Sequence, residues 1–311
     1  MKIAVVGAGL VGTATAHKVA EMGLGEVVIV DIVDGLAEGK ALDISHALAV
    51  LNIDCKVTGS NDIAAIDGSD VVVIASGKRR EPGMTRMDLL CENGRIVESV
   101  CRAVARYAPN CILIVVTNPV DVMCYVAWRT TGFPRERVIG QGGVVDSARF
   151  RWLLSTHLSV PVKDVQGMVI GEHGDCMLPL LRYTTVLGKP VTELLDEGSL
   201  QRIVERTREA GGEIVRLLKT GSAAIAPGAA VAIMVKAIAG DEHKVLPASA
   251  WLDGEYGISG VFIGVPVRLC RNGVAEIIEL ELADEEREWL HRSATAIRAG
   301  IEAWENMKGG G

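Results

Sequence analysis

The 311-residue sequence predicts an α/β fold in which a doubly wound parallel sheet is followed by a mixed α+β region. The first observation is a glycine-rich turn at residues 7–12, placed between a β-branched strand and a helix. The second is an alternation of strand and helix patterns through the N-terminal half. The third is a change to short strands and long helices in the C-terminal half. We therefore divide the chain into residues 1–145 and 146–311, two lobes that share a cleft.

The glycine-rich turn follows the strand at residues 2–6 and has the sequence G-A-G-L-V-G. In such a turn Gly7 allows a tight bend, Gly9 lets a pyrophosphate approach backbone amides, and Gly12 lets helix and strand pack closely. Asp31 closes the second strand, where a carboxylate binds ribose hydroxyls and repels a 2′-phosphate. The arrangement predicts a Rossmann site for NAD, with a ligand-free turn as the alternative. The expected cofactor-binding residues here are Gly7, Ala8, Gly9, Leu10, Val11, Gly12 and Asp31.

Strand and helix patterns continue to alternate after the second strand. In a doubly wound sheet, ligands lie beyond the carboxyl ends of the strands. Asn118 lies at such an end, so we expect its amide to face the cofactor or the substrate; a turn-forming Asn-Pro pair is the alternative. The predicted elements are strands at 71–74, 112–116 and 137–139, and helices at 87–107 and after Pro119.

Residues 75–86 combine glycine, proline and several charges between a strand and a helix, which predicts a mobile loop. The loop contains Arg80 and Arg86. Because a guanidinium group matches the two oxygens of a carboxylate, the loop is expected to close on an anionic ligand. A solvated surface loop is the alternative.

A possible proton-transfer centre lies in the second half of the chain. The β-rich residues 165–170 lead into G-E-H-G-D, which places His173 on a short glycine-flanked turn. Imidazole exchanges protons near neutral pH. Asp146 and Arg149 are three residues apart and share one face of a predicted helix at 144–158. Asp146 would fix the His173 tautomer and raise its pKa, and Arg149 would bind a carboxylate. The alternatives are a helix-capping acid and a structural histidine.

The remaining C-terminal elements are predicted from apolar and polar periodicity. The helix at 223–239 is almost entirely apolar, which favours a place in the core or in a subunit contact. The predicted elements are short strands within 177–185, helices at 199–219, 223–239 and 284–306, and strands at 244–254 and 261–271.

Composition and charge exclude several classes of function. The net charge of −7 argues against a nucleic-acid partner, which needs clustered positive charge. Seven cysteines without a C-x-x-C pair fit neither a disulfide framework nor a zinc site, so no metal is expected. The longest apolar run is too short to span a bilayer, and the first strand leaves no room for a signal peptide. We expect a cytoplasmic protein without a membrane partner.

The motifs in this order resemble the lactate/malate dehydrogenase family across essentially the whole chain. The resemblance implies an NAD-dependent oxidoreductase, a loop over the active site, and a homodimer or homotetramer. It also implies that His173 accepts the proton with Asp146 as its partner, that Arg149 binds the substrate's C1 carboxylate, and that Arg86 polarises the C2 oxygen. The further cofactor contacts that it implies are Asn93, Val116, Thr117 and Asn118. The motifs are G-A-G-L-V-G (7–12), Asp31, R-R-E-P-G-M-T-R (79–86), T-N-P-V-D (117–121), V-D-S-A-R-F (145–150) and G-E-H-G-D (171–175).

The substrate preference within the family is expected to depend on one side chain. Members that act on malate carry arginine two residues before the loop's Pro-Gly, where members that act on lactate have glutamine. Arg80 occupies that place, so the resemblance implies a small dicarboxylate substrate and reversible oxidation of L-malate to oxaloacetate. Arg79 and Glu81 depart from the usual pattern, and an alternative register would use Arg79.

The same residues suggest three alternative functions. A lactate or other 2-hydroxy acid dehydrogenase is the nearest alternative. An NAD-dependent glycosidase would need a metal-binding Cys/His pair, which the sequence does not show. A non-catalytic NAD-binding protein would have no need of His173, Asp146 and the arginines together.

Overall fold

The computed structural model describes residues 1–78 and 85–309, apart from the side chain of Arg86. The N-terminal half forms parallel strands in the order β3-β2-β1-β4-β5-β6. This is the strand order of a dinucleotide-binding doubly wound sheet, so the predicted fold class is confirmed. The strands are β1 (Lys2–Val6), β2 (Glu26–Val30), β3 (Val57–Ser60), β4 (Val71–Ile74), β5 (Ile112–Val115) and β6 (Val138–Gly140).

The helices of this half connect the parallel strands. One of them was missing from the sequence prediction, together with the strand β3 that follows it. Its buried side chains, Ala37, Ala41, Ile44 and Leu48, follow helical spacing, but two are small alanines and the apolar signal is weak. The helices are α1 (Leu10–Glu21), α2 (Leu36–Val50), α3 (Arg86–Tyr107) and α4 (Val120–Thr131).

The C-terminal half is a mixed α+β region, as predicted. Two small antiparallel sheets, β11-β10-β7 and β8-β9, lie apart from the central sheet. The helices are α5 (Gly143–Leu158), α6 (Val191–Leu194), α7 (Glu197–Leu218), α8 (Ile225–Ala239) and α9 (Asp284–Gly309). The strands are β7 (Val165–Gln166), β8 (Val169–Ile170), β9 (Leu178–Pro179), β10 (Thr185–Val186), β11 (Lys189–Pro190), β12 (Lys244–Asp253), β13 (Ser259–Cys270) and β14 (Gly273–Ile277).

The two halves share one sheet. Strand β12 pairs antiparallel with β6 through Ser249 and Gly140, and β13 and β14 continue the sheet beyond it. The added strands β12 and β13 are long and mostly apolar. They cover β6, the edge strand of the parallel sheet, with residues of the C-terminal half. The change in pattern near residue 145 therefore marks a change in topology within a single nine-stranded sheet.

The apolar helix α8 packs inside the chain. Gly228 lies so close to α1 that an added Cβ would be 2.8 Å from the backbone N of Thr15. Val231, Met234, Val235 and Ile238 are fully buried. The core is one of the two places predicted for this helix, and these buried side chains lie in it. Across the described ranges, no helix is both long enough and apolar enough to cross a membrane.

Candidate active site

The glycine-rich turn has the geometry that its sequence predicts. Gly7 has φ +106°, and an added Cβ there would be 2.6 Å from the backbone N of Ser76. An added Cβ at Gly12 would be 1.8 Å from the carbonyl oxygen of Gly7. At Gly9, no described heavy atom lies within 4 Å of the Cβ position. The chain itself therefore requires glycine at two positions, and the third leaves space where another molecule can approach the start of α1.

Asp31 stands beside this turn at the end of β2. Its Oδ2 accepts the N–H of Ala8 at 2.7 Å, and its Oδ1 accepts the N–H of Val33 at 3.0 Å. The residue is partly exposed, and each carboxylate oxygen can accept a second hydrogen bond. The carboxylate thus fixes the turn while keeping capacity for hydroxyl donors. The open start of α1 and this carboxylate fit the pyrophosphate and ribose of a dinucleotide.

Asn93, an expected cofactor contact, links the segments that follow β4 and β5. It is only 1% exposed, on α3, and its Oδ1 accepts the N–H of Lys78 at 2.7 Å. Its Nδ2 donates to the carbonyl oxygens of Asn118 at 2.7 Å and Lys78 at 3.1 Å. The buried Asn93 amide therefore joins two strand-end segments, and its contact with a cofactor stays a prediction.

The segment after β5 was expected to contact a cofactor or substrate. The N–H of Val116 bonds the carbonyl of Ile74 at 2.9 Å, and the Thr117 hydroxyl donates to the carbonyl of Ser76 at 2.6 Å. The side chains of Val116 and Thr117 are largely covered, whereas Asn118 is exposed. Asn118 and His173 line the same cavity of about 510 Å³, so Asn118 is the member of this segment best placed to meet a ligand.

Asp146, Arg149 and His173 come together as predicted. The Nδ1 atom of His173 lies 2.6 Å from Oδ2 of Asp146. The other carboxylate oxygen, Oδ1, accepts from Nη1 of Arg149 at 3.1 Å. A carboxylate can only accept, so Nδ1 carries the proton of this bond and Nε2 is left for exchange with a ligand. The side chain of His173 is 19% exposed and that of Asp146 only 2%.

The environment of His173 favours its protonated form. Burial lowers the pKa of the imidazole, but the charge and hydrogen bond of Asp146 raise it more. Arg149 opposes this effect and Asp121 adds to it, and the net pKa lies above the ordinary histidine value. A histidine in this state can donate a proton near neutral pH and take it back.

Arg149 keeps capacity for an anion. Its guanidinium lies against α7, where an added Cβ at Gly211 would be 3.7 Å from Nη1. Its Nε is buried and has no hydrogen-bond partner among the described residues. Since a guanidinium has five N–H donors and Asp146 takes one of them in this structure, Arg149 can also bind a carboxylate beside His173.

Two residues near His173 were not identified from the sequence. Asp121, on α4, is 3% exposed; its Oδ2 accepts the main-chain N–H of His173 at 2.9 Å, and its Oδ1 accepts the Ser249 hydroxyl at 2.6 Å. Burial raises the pKa of Asp121 to about 6, while the bonds from Ser249 and His173 act against it. The place of Asp121 in the T-N-P-V-D motif was the available signal. Ser249 lies in an ordinary strand pattern and gave none.

The turn that carries His173 is held at both ends. Gly171, with φ +89°, exchanges two main-chain hydrogen bonds with Gly264 of β13, at 2.7 and 3.1 Å. At the other end, the indole of Trp289 and the hydroxyl of Ser293 donate to the carbonyl of Cys176. Both side chains belong to α9. The backbone of His173 is therefore fixed by β13, α9 and Asp121.

The predicted arginine loop is described only at its edges. Arg79, Arg80 and residues 81–84 lie outside the described residues, and so does the side chain of Arg86. Arg86 is the first residue of α3. Thr85 and Asp88 form a capping box there, in which the Thr85 hydroxyl accepts the N–H of Asp88 at 3.1 Å.

Two models of one protein family together match most of the chain. The family model described as lactate/malate dehydrogenase, NAD binding domain, matches residues 1–140. The family model described as lactate/malate dehydrogenase, alpha/beta C-terminal domain, matches residues 144–308. The malate dehydrogenase of Thermomicrobium roseum is 52% identical over 306 residues, which are 98% of this chain and 99% of that protein.

Solved structures of malate dehydrogenases and of lactate dehydrogenases share the fold of this chain. The malate dehydrogenase of Cryptosporidium parvum has a TM-score of 0.96 and 38% identity, over 98% of this chain and 99% of that chain. The lactate dehydrogenase of the same organism, complexed with lactic acid and NAD, has a TM-score of 0.95 and 39% identity, over 98% of each chain. Backbone similarity alone therefore does not separate the two substrates.

Proposed function

The chain belongs to the lactate/malate dehydrogenase family, and from this premise we propose that it oxidises L-malate reversibly to oxaloacetate with NAD. The observation that carries the proposal is the contact of His173 with Asp146 beside Arg149. It places a proton acceptor next to a carboxylate-binding group, as oxidation of a 2-hydroxy acid requires. Residues 1–145 supply the cofactor site together with Arg80 and Arg86 for the substrate, and residues 146–311 supply Asp146, Arg149 and His173.

The cofactor fits the groups at the first two strand ends. The turn at residues 7–12 and the start of α1 would hold the pyrophosphate, and Asp31 would bind the adenosine ribose. The negative charge of Asp31 disfavours a 2′-phosphate, so NAD is preferred over NADP. When bound, NAD supplies the nicotinamide carbon that accepts a hydride from C2 of malate.

The chain's own groups perform the remaining steps. Arg149 binds the C1 carboxylate and orients the substrate against His173. Nε2 of His173 removes the C2 hydroxyl proton, and the Asp146 carboxylate stabilises the resulting imidazolium. We assign Arg86 to the C2 oxygen, where its positive charge meets the charge that develops in the transition state. In the reverse direction His173 returns the proton.

Preference for a dicarboxylate is assigned to Arg80. A second guanidinium in the closed site pairs with the second carboxylate of malate or oxaloacetate. A monocarboxylate such as pyruvate would leave that cation unpaired. Eight sequence relatives that are 47–52% identical to this chain are named malate dehydrogenase, which supports the same substrate.

A comparison of two substrates and two cofactors tests the proposal. We expect the purified chain to oxidise NADH faster with oxaloacetate than with pyruvate, and to use NADPH poorly with either. The measurement is kcat/KM for the four combinations, from absorbance of the reduced cofactor. A preference for pyruvate would make the chain a lactate dehydrogenase, and binding of NADH without turnover would make it a non-catalytic NAD-binding protein.

The pH dependence follows from the raised pKa of His173. Reduction of oxaloacetate needs protonated His173, so its rate is expected to fall only as pH rises through the raised pKa, above the ordinary histidine value. Oxidation of malate needs neutral His173, so its rate rises over the same range. Profiles of kcat/KM in both directions measure this. A reduction rate that falls at or below the ordinary histidine value of about 6.5 would contradict the assignment.

Replacing Asp146 by asparagine tests the cause of that shift. Without the charge of Asp146, burial dominates and the pKa of His173 falls, so the decline in reduction rate should move to lower pH. Asp253→Asn, at an exposed aspartate at the end of β12, is the control and should leave the profile unchanged. An unchanged profile for Asp146→Asn would exclude Asp146 as the partner of His173.

A homodimer or homotetramer and a cytoplasmic location stay predictions from the sequence. Light scattering measures the first.

A further inference from the structure

Asp121 is a buried carboxylate that the proposed mechanism does not use. It lies in the first turn of α4, where an acid often interacts with the positive end of its own helix. Its side chain does more than this, because both oxygens bond groups of other elements, the main chain of His173 and the hydroxyl of Ser249. A buried aspartate is rare unless it is paired. The pairing here connects α4 to the turn that carries His173.

The two carboxylates near His173 act on different parts of the residue. Asp146 holds the ring through Nδ1 at 2.6 Å, and Asp121 holds the main-chain nitrogen at 2.9 Å. A side chain fixed both at its backbone and at one ring atom has a defined direction for its other ring nitrogen. Proton transfer depends on such fixed geometry, since a displacement of about 1 Å can cost on the order of a hundredfold in rate.

Ser249 constrains the position of Asp121 and favours its charged form. It is the β12 residue that pairs with Gly140 of β6, at the junction of the two halves of the sheet. An added Cβ at Gly140 would be 2.6 Å from the Cβ of Ser249, so the serine has little freedom to move. Its hydroxyl bond lowers the pKa of Asp121 against the effect of burial. The serine therefore favours the charged carboxylate.

We propose that Asp121 is a positioning residue for the proton transfer: it holds the main chain of His173, and its negative charge, maintained by Ser249, favours the protonated ring. This inference rests on the proposed function of His173. The titratable groups around Asp121 are His173 and Glu172 on the turn and Cys124 on α4. Asp146 and Arg149 face His173 from α5.

The direct test replaces Asp121 by asparagine, which has nearly the same shape but no charge. We expect the kcat for oxaloacetate reduction to fall about 10- to 100-fold, part of the roughly 10²- to 10⁴-fold that acid–base catalysis contributes. The pH at which reduction declines should move downward, because the charge that supports protonated His173 is lost. NADH binding, measured by fluorescence, should be unchanged. Full kcat with an unchanged pH profile would overturn the proposal.

Two further variants separate positioning from general loss of structure. Ser249→Ala keeps Asp121 but removes the bond that lowers its pKa, so the pH of the decline should move in the same direction by less. Ser293→Ala removes an uncharged anchor of the same turn, the bond to the carbonyl of Cys176. It is expected to lower Tm while leaving the pH of the decline in place. Equal pH shifts in Ser293→Ala and Asp121→Asn would show a structural effect only.

A titration of the His173 ring by NMR makes the test independent of turnover. Its midpoint should be lower in Asp121→Asn and in Ser249→Ala than in the unsubstituted chain. If oxaloacetate is not reduced at all, the proposed function fails, but the ring midpoint still decides whether Asp121 acts on His173. Identical midpoints in all three proteins would contradict the charge effect, whatever the activity.

Discussion

Replacement of His173 by glutamine is expected to lower kcat for oxaloacetate reduction by about 10²- to 10⁴-fold, the usual contribution of a positioned acid or base. Glutamine can still form hydrogen bonds, but its amide does not exchange a proton near neutral pH. The glycine turn and Asp31 are unaffected, so NADH binding should persist. Steady-state rates and NADH fluorescence titrations measure the two effects separately.

The matched control is the same substitution at His157. This histidine lies in the last turn of α5, the helix that also carries Asp146 and Arg149, and it is exposed. His157→Gln should therefore keep the full rate. If His173→Gln retained a rate within a few fold of the unsubstituted chain, His173 would be a structural histidine and the proposed mechanism would be wrong.

Replacement of Arg80 by glutamine should change substrate preference more than overall stability. An unpaired cation in a closed site costs roughly 3–5 kcal/mol, and each 1.36 kcal/mol is about tenfold in rate. We therefore expect the ratio of kcat/KM for oxaloacetate to that for pyruvate to fall about 10²- to 10⁴-fold. Because Arg80 lies outside the described residues, this expectation rests on the sequence motif. Rates with both substrates under one set of conditions measure the ratio.

Arg79→Gln is the control for this prediction, because Arg79 has the same charge as Arg80 and belongs to the same segment of the sequence. It should leave the ratio of the two substrates nearly unchanged. A large change in Arg79→Gln with none in Arg80→Gln would select the alternative register, in which Arg79 binds the second carboxylate. No change in either variant would remove both arginines from substrate selection.

The sequence predicted the features that depend on local pattern. Gly7 and Gly12 were assigned to a tight turn and to close packing, and the structure shows a positive φ at the first and a carbonyl in contact range at the second. The family prediction is also confirmed, because models of the family's two domains match residues 1–140 and 144–308. The meeting of Asp146 with His173 was predicted from the same motifs and is present in the structure.

The prediction was incomplete where a contact joins distant parts of the chain. The sequence did not predict that the Asn93 amide bonds the backbone of Lys78 and Asn118. Helix α2 was overlooked because its buried face includes small alanines. The continuation of the parallel sheet through β12 was not foreseen either, since an antiparallel neighbour leaves no sign in the strand it joins.

The amino-acid sequence by itself determined the fold class, the family and the chemical types of the side chains at the proposed site. Glycine spacing, strand and helix periodicity and charged motifs are properties of neighbouring residues, so they can be recognised without the tertiary structure. The tertiary structure decided which groups hold His173 in place. Asp121 and Ser249 are 128 residues apart and bond each other at 2.6 Å. Only burial of the whole sheet junction removes the water that would otherwise satisfy their polar atoms, and that burial makes their pairing necessary.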